Sequence, residues 1–103
     1  MPSDCIHIPQ EKLSRRMALL HYALASLREE LEAIDAYRQR ADDTEDKALK
    51  AIFLHNAGEE TEHASMLLEW IRRNDPRFDK ELHDYLFKAG SITKLESKAM
   101  GRK

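Results

Sequence analysis

The stretch HNAGEETEHASMLLEW, residues 55–70, reads as continuous helix with a polar break in its apolar face. Ile52, Phe53, Leu67 and Trp70 set a three-to-four spacing, the period of a helix face that is to be buried. Carried through the gap, that face lands on Asn56, Glu60 and His63. A carboxylate and an imidazole therefore stand where the period asks for apolar side chains. An ionised carboxylate taken out of water without compensation is heavily penalised, so the break demands a partner charge.

Helical pattern extends to both sides of this stretch. Leu13, Met17, Leu20, Leu24, Leu27, Leu31 and Ile34 follow one another in alternating steps of four and three, a heptad-like seam. With Pro9 in its first turn, that helix is expected over roughly residues 9–40. ADDTEDK, residues 41–47, breaks the pattern, with Asp43 or Thr44 as the expected cap of the next helix and Asp46 adding negative charge to its first turn. The second helix runs through Leu49, Ile52 and Phe53, crosses the polar gap, and continues with Met66, Leu67, Trp70 and Ile71. Met66 and Trp70 are expected in the core. RRNDP, residues 72–76, ends it, because Pro76 cannot continue the ladder. A short third helix is expected over roughly 76–88, with Phe78, Leu82, Tyr85 and Leu86 on one side, before Gly90 and the weaker segment SITKLESKAM.

The chain of 103 residues allows one domain, residues 1–103, with an ordered part over roughly 9–97 and flexible tails. Charged residues make up 35% with a net charge of −2 and both signs mixed, which gives no footprint for nucleic acid or an anionic membrane. Three glycines and three prolines leave little room for an all-β or loop-rich fold. No apolar run nears the roughly 20 residues of a membrane span, and MPSDCIHIPQ lacks the layout of a signal peptide. The single cysteine, Cys5, excludes an intrachain disulfide and fits a reducing cytoplasm.

Two long helices with a short connection lie antiparallel. If the turn centres near residue 45, Glu30 stands fifteen residues before it and Glu60 fifteen after. Both then sit about 22 Å from the turn at the helical rise per residue. Glu30, Glu60 and His63 can thus converge in one layer of the hairpin interior. Two carboxylates and an imidazole suit iron, manganese or zinc. Glu-x-x-His opposite a glutamate from another helix is half the ligand set of a carboxylate-bridged di-iron bundle, and EETEH supplies it once. A second copy across a two-fold axis would complete the set, so the expected fold is all-α: an antiparallel hairpin plus a short C-terminal helix, dimerising into a ferritin-like four-helix bundle. The bland alternative is a solvated Glu-x-x-His on a charged helix. Tyr37, two turns beyond Glu30, either hydrogen-bonds a ligand carboxylate of the partner or packs in the interior. His55 reads as a solvated or core-edge residue, and His7, His21 and His83 have no partners at helical spacing.

SLREELEAIDAYRQRADD, followed by LHNAGEETEHASMLLEWIRRNDPRF and LHDYLF, resembles the encapsulated ferritins, small two-helix ferritin-like proteins carried inside encapsulin shells. The likeness spans roughly residues 12–97. It implies a cytoplasmic ferroxidase that oxidises Fe²⁺ to Fe³⁺ with dioxygen at a di-iron centre between two chains. It also implies a ring of five dimers that feeds iron storage but, being open, holds no mineral unaided. The resemblance places the iron ligands on Glu30, Glu60 and His63, and a tyrosine beside them on Tyr37. It places an outer acidic site for Ca²⁺ or another divalent ion on Glu29 and Glu32, whose plainer reading is a solvated helix face. Ala36 stands where the family often has tryptophan, and ESKAMGRK is a short form of the tail that docks family members into the shell. The competing class is a non-catalytic, metal-stapled helical dimer or interaction module, because zinc accepts an overlapping ligand set.

Overall fold

The computed structural model describes residues 6–99, with side chains to Glu96; Cys5 and the end of ESKAMGRK lie outside the described residues. Every regular element among them is helical: a 3₁₀ turn (Gln10–Lys12), then α1 (Arg15–Asp43), α2 (Lys47–Asn74), α3 (Pro76–Tyr85) and α4 (Ile92–Ala99). No helix among the described residues is long and apolar enough to cross a membrane.

The starts of both long helices differ from the sequence expectation, for one reason. Each is set by the side chain that reaches the free amides of the first turn. Ser14 caps α1 by accepting from the Met17 N–H at 3.1 Å. Pro9 precedes only the 3₁₀ turn, and Leu13 is extended between the two. A serine cap is worth about 1 kcal/mol, enough to fix the boundary there rather than at the proline. The Gln10 amide donates to the Tyr22 hydroxyl and folds this turn onto α1. At the other end, Asp43 is the last residue of α1, and the Thr44 hydroxyl is occupied by the Arg40 carbonyl at 2.6 Å. The cap of α2 therefore falls to Asp46, which accepts from the Leu49 N–H at 2.9 Å. Residues 44–46 alone join the helices, so α2 returns antiparallel along α1.

The buried positions of the two long helices are mainly small: Ala18, Ala23 and Ala41 on α1 and Ala57 and Ala64 on α2, with Leu20 and Ile71 the larger side chains. Alanines at these levels let the helix axes approach closely. The leucine seam of α1 does not all turn inward. Leu20 is buried and Leu13, Leu27 and Ile34 are half-buried, but Met17, Leu24 and Leu31 are exposed. One partner helix covers one side of a heptad stripe, and the chain offers α1 only one. Met66 and Trp70, expected in the core, are 58% and 37% exposed for the same reason, as are Leu49 and Ile52 on that helix at 43% and 54%. A compact chain of this length has a radius of gyration near 13 Å. This one measures 17.6 Å and forms a slab of 52 × 44 × 19 Å. Its accessible surface is 8092 Å², against about 6,000 Å² for a compact monomer of its mass.

Asp75 closes α2 and starts α3, accepting from the N–H groups of Arg77 and Phe78 at 3.0 and 3.2 Å, with Pro76 in the first turn. α3 ends at Tyr85 rather than near residue 88. Phe87 follows with a φ of 59° and a fully exposed ring, and Gly90 at φ 94° takes the left-handed conformation that a glycine adopts without strain. Within SITKLESKAM, Ile92–Ala99 form a helix, α4.

Candidate metal site

Glu30 projects from α1 and Glu60 and His63 from α2 into one layer of the hairpin. Ala57 and Ala64, one turn to either side of Glu60, are buried and leave room for the longer side chains. Neighbouring hydroxyls are tied to the backbone: Thr61 donates to the Ala57 carbonyl at 2.8 Å and Ser65 to the Thr61 carbonyl at 2.9 Å. They neither compete with the carboxylates nor pair with them. His63 Nδ1 lies 3.0 Å from Glu60 Oε1 and 3.6 Å from Glu30 Oε1. One donor atom from each of the three residues fits within 4.8 Å of the others, and among the described residues this trio is the grouping able to hold a metal ion.

The electrostatics follow from crowding two carboxylates. The neighbouring Glu60, as hydrogen-bond partner and as charge, raises the Glu30 pKa, with partial burial adding to the effect. Glu60 is lowered because it accepts from Glu30 and from His63, and His63 is raised chiefly by its bond to Glu60. The side chains of Glu30, Glu60 and His63 are 24%, 26% and 43% exposed, so one chain leaves the layer open on one side.

The other residues singled out in the sequence are not in this cluster. Tyr37 is half-buried, its ring 6.1 Å from Phe53 and beneath the Arg40 guanidinium at 5.6 Å. Glu29 and Glu32 lie exposed on α1, and His55 on α2 and His7 before the 3₁₀ turn are likewise exposed. His21 stands 6.3 Å from the Tyr22 ring, and His83 bonds the Asp79 carbonyl at 2.8 Å. Sequence reading missed a second charged cluster at the α2–α3 elbow. There Arg72 binds Glu69 through two bonds of 2.9 and 2.8 Å and Asp79 through one of 2.5 Å, while Arg73 binds Glu69 at 2.7 Å. The Glu69–Arg72 and Glu69–Arg73 spacings were readable as helix pairs. Asp79 was not, because the direction α3 takes is not written in any local pattern.

A sequence profile described as EncFtn-like matches residues 5–89 of the chain. The chain belongs to the EncFtn-like family. An encapsulated ferritin-like protein of Rhodospirillum rubrum is 47% identical over 95 residues, which span 92% of this chain and 68% of that protein. A ferritin-like protein of Thermotoga maritima is 43% identical over 99 residues, covering 96% and 87% of the two chains. Among solved structures, protein ne0167 from Nitrosomonas europaea superposes with a TM-score of 0.84 at 57% identity, over 86% of this chain and 98% of that one. The all-helical architecture with two long helices and shorter ones is thus that of an EncFtn-like protein, and iron handling is the function class consistent with it.

Proposed function

We propose that this EncFtn-like chain is a ferroxidase whose di-iron site forms when two copies pair across the face carrying Glu30, Glu60 and His63. The carrying observation is a layer of two carboxylates and one imidazole within 4.8 Å, half-open to solvent, on a face whose apolar neighbours are uncovered. The donor set fits iron: oxygen and nitrogen donors in a group too small to enclose an ion alone. A two-fold axis doubles the set to four carboxylates and two imidazoles. Ile52, Met66 and Trp70, exposed beside it, then find apolar cover.

In this reading Fe²⁺ is the substrate. Glu60 and His63 hold it from one helix and Glu30 from the other. Anionic oxygen donors favour the higher charge state, lowering the potential and driving electrons toward dioxygen. Each Fe²⁺ gives up one electron; dioxygen with two electrons and two protons leaves as hydrogen peroxide, or with four of each as water. Met66 and Trp70 exclude bulk water once the partner is seated. The Tyr37 phenol, two turns beyond Glu30 on α1, orients a carboxylate from the facing chain. Assembly into a ring and carriage inside an encapsulin shell accord with the encapsulated ferritin-like relative and belong to the same proposal.

The test adds Fe²⁺ anaerobically, admits air and follows Fe³⁺ absorbance against a zinc-inhibited control. Rapid, zinc-sensitive oxidation supports the reading. Tight metal binding without oxidation above the uncatalysed rate would reduce the site to a structural staple.

A further inference from the structure

Asn56, Glu60 and His63 make up the polar break of α2; the last two enter the metal layer and Asn56 does not. The other uncharged polar side chains of this helix turn back on their own backbone. Thr61 and Ser65 donate to the carbonyls four residues before them, and Asn74 donates to the Trp70 carbonyl at 2.8 Å. Asn56 is half-buried and, among the described residues, makes no hydrogen bond. Its surroundings offer it little. Ile34 on α1 stands at its height, eleven residues before residue 45 as Asn56 is eleven after it, and Ile52 and Phe53 precede it by one turn. A half-buried carboxamide without a partner costs stability that an apolar residue in its place would not.

One turn further along α2 stands Glu60. Side chains four apart on a helix have Cβ atoms about 5–6 Å from each other, close enough for a carboxamide to reach a carboxylate. In the metal-free layer Glu60 has no call for another donor, because it accepts from Glu30 and from His63, the latter at 3.0 Å. Ligation changes that. With Glu30 and His63 both turned to an ion, Glu60 loses both donors and is left with one oxygen that the ion does not take. Of the four side chains one turn away on α2, Ala57 and Ala64 carry no polar group and His63 is itself a ligand, which leaves Asn56.

We infer that Asn56 is a positioning residue of the metal layer: its Nδ2 donates to the free oxygen of the ligated Glu60 and fixes that carboxylate for the ion. The inference rests on the metal site proposed above. A ligating carboxylate needs its own hydrogen-bond partner to hold its orientation, and loss of such a partner typically weakens the metal by about 10–100-fold. Asn56 thus stands idle in the empty layer and is engaged in the filled one.

Titration of the full chain with Co²⁺, followed by its visible absorption, tests this without any oxidation step. Asn56→Leu weakens Co²⁺ binding about 10–100-fold and raises the metal-free melting temperature by a few degrees. Loss of a merely structural side chain would not move the two in opposite directions. Asn56→Gln, whose carboxamide still reaches a carboxylate one turn on, binds Co²⁺ within about threefold of the parent. Glu59→Gln alters the other acid at helical spacing from Asn56 and leaves binding as in the parent. Parent-like affinity in Asn56→Leu, a fall in its metal-free melting temperature, Asn56→Gln as weak as Asn56→Leu, or equal weakening in Glu59→Gln would each overturn the inference. A parent chain that binds no Co²⁺ would overturn the metal site along with it. Whether bound iron is oxidised has no bearing on these outcomes, so the ferroxidase reading keeps its own test.

Discussion

Two charged clusters lie nine residues, about two and a half turns, apart on α2, and they are built on opposite accounts. At the elbow, Glu69 and Asp79 meet Arg72 and Arg73, and each carboxylate has a guanidinium within 2.9 Å. In the hairpin layer, Glu30 and Glu60 crowd each other and share His63. The elbow is complete without help: Arg72 holds the Glu69 carboxyl down at about 2. The hairpin layer carries surplus negative charge, and Glu30 is pushed toward its protonated form by its own neighbour. A cluster with matched charges orients a helix; one with a surplus waits for a cation from outside.

The largest expected difference between the two regions is catalytic. Glu60→Ala or His63→Ala lowers the rate of Fe²⁺ oxidation on the order of a hundredfold or more, with helicity by circular dichroism retained. Full oxidation rates in either variant would show that the layer is not where the chemistry happens. Next comes linkage to metal. A divalent ion bound only by the folded state adds about 2.7 kcal/mol at a hundred times its dissociation constant. Thermal melts should therefore rise with added Fe²⁺ or Zn²⁺ and fall back with chelator, and this response should vanish in His63→Ala but persist in Arg72→Met.

Arg72→Met carries the contrast to the elbow. It leaves Asp79 with His83 alone, at 3.2 Å, and takes one of the two guanidiniums from Glu69, so the melting temperature falls by a few degrees while iron oxidation continues. The pH dependence of the elbow has a definite sign. Glu69 is depressed from 4.5 to about 2 by Arg72 and Arg73, so its contribution is present above 4.5 and is lost as pH falls from there toward 2. Acid melts of Arg72→Met should be flatter over that window than those of the parent. The smallest effect is the most diagnostic in direction. Glu30→Gln removes one of two crowded carboxylates, so the metal-free melting temperature should rise slightly while metal-induced stabilisation shrinks. A drop in the metal-free melt would put Glu30 in the same class as the elbow acids.

Much of this was legible in the sequence because helices obey a fixed rise. Counting fifteen residues either way from the turn was enough to level Glu30 with Glu60, and the polar break in α2 marked the layer. What escaped notice was decided by competition between neighbours. Asp46 rather than Thr44 caps α2 because the Thr44 hydroxyl already serves the Arg40 carbonyl, a choice that spacing cannot reveal. The leucine seam looked like one buried face, and the structure divides it into a covered half and an open half. Periodicity tells that a side chain seeks cover but not which body supplies it. Trp70 and Met66 were assigned to an interior on the same pattern and lie exposed on the chain alone.

The open side of the hairpin layer has a consequence for mixtures. If each reaction chamber needs a lining from two molecules, intact and damaged chains combine at random, and working chambers decline with the square of the intact fraction. A minority of defective molecules would then poison a population out of proportion to its number, as no self-sufficient subunit would allow.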